Sequence, residues 1–414
     1  MSMSSRFALS LALLLSLFAL TVNSPAHAET LWWWVVMHNN ESRPLLESQA
    51  AAFEAANPGV EVDISFVTWK DMEEKLTTVL ASGAGPDIVP LGGIWMAEYA
   101  AAGMLLPLDT YVRDWDALDE FHPVVVEDGR YQGQLYALPY MVNPKTLTLS
   151  RTVFEEAGLN PDDPPETWED LERAAQRVRR TDAEGRTLVA GLTHPGPGNP
   201  VSHWQNITTL IAQAGGSIVT PDGSQATLDT PEVVRAIEFY AKLIRDGLST
   251  QGAGWRDGKL AMDFNAPSTR MLNFKATQPE VYNDLKVALP TRDVVRAGNF
   301  TIDKYAISST SKNPDLAWKF LSYVLSPEQL QAYNLVSGGI GPQPSLVQRP
   351  ELMSDPVYIG FVQAIDYGFG FPIIPSIRRV QEVVSGPVAA AAFGEIPSEY
   401  AAGEAQRLVS EVLE

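Results

Sequence analysis

Across residues 50–91 the spacing of apolar positions changes period three times. Ala51, Phe53, Ala55 and Ala56 follow a helical pattern that Asn57-Pro58-Gly59 stops, because proline cannot continue a helix and glycine takes the left-handed turn. Val60, Val62, Ile64 and Phe66 then alternate with polar residues, the period-two mark of a strand. Residues 70–80 return to helical spacing, and Pro86-Asp87 opens another short apolar run. Upstream, residues 31–37 (LWWWVVM) are apolar without interruption, as expected of a strand covered on both faces. Strands alternating with helices predict parallel pairing through crossover helices, an α/β architecture in which 31–37 is the first and central strand.

The alternation resumes beyond residue 150. Helices are predicted over 168–181, 201–214 and 231–247 and strands over 186–192, 260–265 and 284–289, which amounts to a second α/β lobe. Thr167 is placed to cap the helix that starts at Trp168. Ser326-Pro327-Glu328 has the cap, proline and acidic first turn of another helix start. Segments 145–150, 300–308 and one near 341–346 are expected to carry the chain between lobes, and helices over 377–392 and 398–413 to close it. The predicted division is an N-terminal lobe of 29–142 plus 303–345 and a C-terminal lobe of 143–302 plus 346–414, joined by a multi-strand hinge.

Composition narrows the function. Residues 1–28 carry Arg6, an apolar run from Phe7 to Leu20 and Ala26-His27-Ala28, the three parts of an export signal expected to be cleaved after Ala28. That run is shorter than the ~20 residues of a membrane span. The chain has no cysteine, which removes disulfides, thiolate metal sites, a cysteine nucleophile and a lipid-anchored cysteine at the cleavage point. The expected location is the periplasm, unanchored. With 50 acidic against 30 basic residues the net charge is −20, so nucleic acid is not an expected partner. His27, His38, His122, His194 and His203 lack metal-ligand spacing, and no phosphate-binding, dinucleotide or nucleophile-elbow motif is present; neither metal nor cofactor is expected. Glu98, Asp263 and Asp366 are carboxylates of the kind a secreted glycoside hydrolase uses in pairs, but their spacing selects no pair, and catalysis is not expected.

Phe53, Asn57-Pro58-Gly59, Val60, Val62 and Ile64 resemble the "AFE…NPGI.V" signature of the extracellular solute-binding proteins that serve ABC importers of sugars. Gly83, Gly85, Pro86 and Asp87 resemble that family's "G..PD" turn, residues 131–140 (YQGQLYALPY) its "Y.GK.YALP" hairpin, and 313–329 its "NPEAAWKFLKFLTSPE" helix pair. The resemblance implies a two-lobed periplasmic-binding-protein fold of type II, similar to maltose-binding protein. It also implies a monomer that closes on a small carbohydrate or glycoside and delivers it to an inner-membrane ABC permease.

A sugar site needs aromatic faces for the C–H faces of a pyranose, and amide, carboxylate or guanidinium groups for paired hydroxyls. Loops leaving the carboxyl ends of strands are where such groups are sought. His38, Asn39, Asn40 and Glu41 follow the first strand, with helix capping by Asn40 or Ser42 as the alternative role. Trp69 follows the second strand and either covers the core or faces the cleft. Gly93, Ile94 and Trp95 follow the third, where the resemblance implies sugar contacts. Tyr140 and Asn143 lie at the first crossing, and His203, Gln205 and Asn206 open a second-lobe helix. Residues 265–268 resemble the family's "NGPW" loop with Ser268 in place of a stacking tryptophan and Arg270 two residues on; Gly298, Asn299 and Phe300 stand for its "GGW". Those departures favour a ligand of mono- to disaccharide size. Arg270, Arg378 and Arg379 suit an anionic solute such as a sulfonated glycoside or glycerol phosphodiester, or else form surface salt bridges.

Overall fold

The computed structural model describes residues 29–414; the export signal read over 1–28 lies outside them. The first lobe starts with β1 (Glu29–Val36), α1 (Ser42–Ala56), β2 (Val60–Val67), α2 (Trp69–Ala81), β3 (Ile88–Leu91) and α3 (Met96–Ala101). β1 pairs in parallel with β2, from Glu29 opposite Val60 to Val36 opposite Val67, and with β3 on its other side. It is therefore interior, as its unbroken apolar run predicts, but one place from the edge strand β2 rather than central. Gly59 makes the α1–β2 turn at φ +94°, a left-handed conformation that suits glycine. Asp87 of the Pro-Asp turn accepts from the Trp32 amide at 2.8 Å and from the Ser311 hydroxyl, which fixes the start of β3 against β1 and the chain beyond Ile307.

Two strands run through both halves of the molecule. β4 (Ala137–Ser150) is a single 14-residue strand, so the hairpin read over 131–140 is confined to Arg130–Tyr131 and Gln134–Leu135 and the crossing begins earlier than expected. Beyond β4 come α4 (Trp168–Val178), α5 (Pro200–Gln213), α6 (Pro231–Arg245), β5 (Met262–Pro267), α7 (Ser268–Thr277), β6 (Leu285–Val287) and β7 (Gly298–Ile307). The first half of β4 pairs antiparallel with β7, and its second half, from Lys145 on, pairs with β5 and β6. β7 continues antiparallel to β3. The result is one continuous sheet ordered β5-β4-β7-β3-β1-β2. At the third expected crossing Ile340 forms an isolated bridge with Val142, followed by a helical turn at Pro344–Val347.

Thr167 caps α4 as predicted: its hydroxyl oxygen accepts from the Asp170 amide while the Asp170 carboxylate accepts from the Thr167 amide, and the hydrogen bonds that the carboxylate accepts, from the Thr167 hydroxyl first and then from the Thr167 amide, hold that carboxyl below its usual range. α8 (Pro314–Val324) and α9 (Pro327–Ser337) pack on the first lobe, and α10 (Ile377–Ala392) and α11 (Ser398–Leu413) on α6 of the second. One apolar core gathers Trp33, Phe53, Tyr140, Tyr305 and Phe320, the Trp33 ring meeting Tyr305 and Phe320 edge-on at 5.7 and 5.0 Å. Another gathers Leu147, Trp168, Trp204, Tyr240 and Val384, with Trp168 stacked on Phe239 at 4.4 Å. The fold is the two-lobed one expected, with an α/β lobe around each core.

Candidate functional site

The carboxyl ends of β1, β2 and β3 deliver His38, Trp69 and the Gly92–Trp95 loop to one place. Trp69 is the first residue of α2, fixed just after the cap Thr68. Its ring packs over Gly92, where an added Cβ would lie 3.2 Å away, close enough that the ring would have to shift by a few tenths of an ångström. Trp69 meets Trp95 at 5.5 Å with the rings perpendicular, and the His38 ring lies 6.2 Å from Trp69. The opposite wall comes from the start of α5 (Pro200, Val201, Trp204, Gln205), the β5–α7 junction (Pro267, Thr269, Arg270), Phe371, and α10 (Arg378, Gln381, Glu382). Trp204 and Phe371 lie 5.5 Å apart. Asn143 and Lys145 of β4 and Thr301 and Asp303 of β7 complete the lining.

These walls enclose a cavity of about 560 Å³. A second compartment of about 340 Å³ adjoins it, sharing Lys145, Gln205, Pro267 and Arg270 and continuing to Asn206, His194, Trp255, Asp263 and Asn265. A separate apolar cavity of about 90 Å³ between α7 and α9 shares none of these residues.

Charges are unevenly satisfied. His38 Nε2 lies 3.2 Å from the Asp303 carboxylate, near enough for an ion pair but out of line for a hydrogen bond. Lys145 is 4% exposed and its Nζ donates to the neutral Asn299 Oδ1 at 3.1 Å. Burial pushes that amine down to about 7, against the attraction of Asp303 and Asp263, while Arg270 adds repulsion. Burial pushes the Asp263 carboxyl up, opposed by the hydrogen bond it accepts from the Asn265 amide. Arg378 reaches from α10 to α3, donating to Glu98 at 3.2 Å and to the Tyr99 hydroxyl at 3.4 Å, with its guanidinium 5.3 Å from the Trp95 ring centre. His194 and His203 are both pushed down chiefly by burial, His194 to about 4.

The structure brings His38, Trp69, Gly93, Ile94, Trp95, Asn143, Gln205, Arg270 and Arg378 together around the larger compartment and Asn206 beside the smaller. The other candidates have different surroundings. Asn39 is the capping residue, where Asn40 or Ser42 was the alternative considered: its Oδ1 accepts from the Ser42 amide and hydroxyl, and its Nδ2 donates to Val336 O at 2.7 Å. Asn40 and Glu41 are exposed in the turn before α1, and Glu41 makes no side-chain cap bond. Tyr140 is buried against Tyr305, stacked at 4.3 Å. Phe300 is buried with Val125, Val142 and Ile302 and offers no free face. Strand alternation explains Phe300, which points with Ile302 away from the face that carries Thr301 and Asp303, whereas Tyr140 sits where the β4–β7 register shifts and is held in the core by Tyr305.

His203 is buried on the far side of α5 from Val201, Trp204 and Gln205, with Nδ1 3.0 Å from the Tyr240 hydroxyl and Nε2 3.2 Å from Gly196 O. Ser268 is buried and donates to Asn143 Oδ1 at 2.9 Å. Gly298 is pinned in β7, where a Cβ would lie 2.8 Å from Lys145 O, and Asn299 acts through Lys145. Arg379 pairs with Glu382 at 2.8 Å on the exposed side of α10. Sequence reasoning missed Lys145, Asp303, Gln381 and Phe371. Charged residues inside the apolar runs around Lys145 (PKTLTL) and Asp303 (FTIDKY) were the available signal for the first two.

Residues 39–331 match the family model of bacterial extracellular solute-binding proteins. The chain is 26% identical to the maltotriose-binding protein of Pyrococcus abyssi over 369 residues, covering 86% of this chain and 76% of that protein. It is 25% identical to the mannitol-binding protein of Pseudomonas aeruginosa over 318 residues, 74% of this chain and 70% of that one. In fold it is similar to an ABC transporter solute-binding protein of Thermotoga lettingae bound with α-D-tagatose, with a TM-score of 0.83, 24% identity, and 93% and 100% of the two chains covered. Maltose-bound MalE3 of T. maritima matches with a TM-score of 0.81, 20% identity, and 93% and 100% coverage.

Proposed function

The chain belongs to the bacterial extracellular solute-binding protein family, and on that premise we propose that it is the periplasmic substrate-binding component of an ABC importer, carrying a sugar or glycoside of mono- to disaccharide size. The observation that carries this reading is the cavity of about 560 Å³ between Trp69 and Trp95 on one wall and Trp204 and Phe371 on the other. Its volume lies in the roughly 300–1,000 Å³ range of small-molecule sites. Trp69 and Trp95 are only partly buried, which leaves ring surface for the apolar face of a pyranose. Asn143, Gln205 and Gln381 supply donors and acceptors for paired hydroxyls. The relatives' sugar and polyol names support the same ligand class.

In this reading the lobes are 29–142 with 303–345 and 143–302 with 346–414, and a bound sugar touching both shifts the population toward the closed form. Arg378 and Glu98 already span them at the cleft rim. The closed monomer then docks on its permease and releases the sugar unaltered, as a binding protein and not an enzyme. Residues 1–28 serve as the export signal, and no described helix is long and apolar enough to cross a membrane. Calorimetric titration with a panel of mono- and disaccharides tests the proposal. At least one is expected to bind in the micromolar range or tighter, and heat from none of them would overturn it.

A further inference from the structure

Where the two compartments of the cleft meet, two cationic side chains stand without anionic partners. Lys145 and Arg270 line both compartments. Among the described residues the Arg270 side chain makes no hydrogen bond or ion pair. The Lys145 ammonium, almost wholly buried, has a single neutral acceptor, Asn299 Oδ1. Other arginines nearby are matched: Arg378 by Glu98 and Arg379 by Glu382. The charges that face Lys145 are Asp303, Asp263 and Arg270. Both carboxylates act on it from beyond ion-pair distance, Asp303 lying against His38 and Asp263 accepting from the Asn265 amide. A buried ammonium with no counter-ion is unfavourable, and a ligand that supplies the counter-ion removes the penalty.

We propose, building on the sugar-binding reading above, that the ligand is an acidic sugar whose carboxylate or sulfonate sits between Lys145 and Arg270 at the junction of the two compartments. The guanidinium offers paired donors to such a group and the ammonium a point charge. The polyol parts of the ligand extend into the compartment on either side, the larger one lined by Trp69 and Trp95. Asp303 and Asp263 limit the charge the junction accepts, so a monoanion is selected over a dianionic phosphate monoester.

Titration calorimetry at pH 6.5 with matched probes tests this: glucose and glucuronate, galactose and galacturonate, cellobiose and cellobionate, with glucose 6-phosphate as the dianion. The expected result is that at least one acid binds tenfold or more tighter than its neutral partner and tighter than the phosphate, and that this preference shrinks in 0.5 M NaCl. Arg270→Gln, a change on an exposed side chain, and Lys145→Met are each expected to weaken the acid tenfold or more while changing its neutral partner less than threefold. Circular dichroism melts verify that both variants fold. Neutral sugars binding as tightly as their acids overturns the proposal and leaves the sugar-binding reading standing. An acid preference that survives both substitutions also overturns it, by placing the anion elsewhere. No binding by any probe overturns both readings together.

Discussion

Replacing Lys145 by methionine in the ligand-free protein isolates the effect of placing an ammonium in the cleft floor. An unfolded lysine titrates near 10.5, whereas burial brings Lys145 to about 7 in the folded chain. Between those values the unfolded chain binds the extra proton, so wild-type stability from this group rises with pH, by about 1.4 kcal/mol per pH unit. Below pH 7 both states hold the proton and the full penalty, at most about 5 kcal/mol, applies. Methionine keeps the aliphatic length and has no such dependence. It removes the donor from the buried Asn299 Oδ1, which costs about 1–3 kcal/mol at every pH. With that cost taken as about 2 kcal/mol, the variant is expected to be about 2.5 kcal/mol more stable than wild type at pH 6.5 and about 0.5 kcal/mol less stable at pH 9.5. Urea unfolding followed by tryptophan fluorescence at pH 6.5, 8.0 and 9.5, at constant ionic strength, measures the difference. A wild-type-minus-variant difference that stays constant across this range would refute the argument, because it would mean that Lys145 titrates alike folded and unfolded.

Trp95→Ala and Trp69→Ala each remove ring area from the cavity wall and are expected to weaken sugar binding by about ten- to a hundredfold, equivalent to roughly 1.5–3 kcal/mol, in calorimetric titration. Thr167→Ala deletes the cap of α4 and is expected to lower stability by about 1 kcal/mol in urea with ligand affinity unchanged. Glu98→Gln weakens the bond from Arg378 across the cleft rim. A partly exposed pair is worth about 0.2–1 kcal/mol, so the closed population should fall by at most about fivefold, read as a longer mean distance between labels on the two lobes.

The sequence was most legible where local chemistry decides conformation. The period changes across 50–91, the Asn57-Pro58-Gly59 turn, the Thr167 cap and the helices at 377–392 and 398–413 all depend on neighbours in sequence, and the structure has them where they were expected. β4 was harder. All its residues except Asn143 are buried, so no period marks where a hairpin ends and a crossing strand begins. The facing of Tyr140 and Phe300 depends on strand phase, and pairing between β4 and β7 shifts register at Asp303/Lys304, an irregularity with no local mark. On α5, helical phase separates Gln205 from His203, but which side faces the cleft depends on how the helix docks. Arg378 and Glu98 meet only after the second lobe is assembled, so neither predicts the other. Lys145 lay inside a run that otherwise looked like buried strand, and its unmatched charge emerges only when Asn299 is found beside it.

The exchange of partners along β4 bears on the closure proposed above. At about 3.3 Å per residue, that ribbon runs some 46 Å without a break. Sliding one half over the other would tear its ladder, whereas twisting it where β7 gives way to β5 and β6 leaves every rung intact. Lys145 occupies that changeover, as a pivot stone does in an arch. In the closure proposed above, groups at the rim travel and a charge at that changeover shifts least. A guest anchored there, as proposed, would be gripped from a nearly fixed point while the walls came to it.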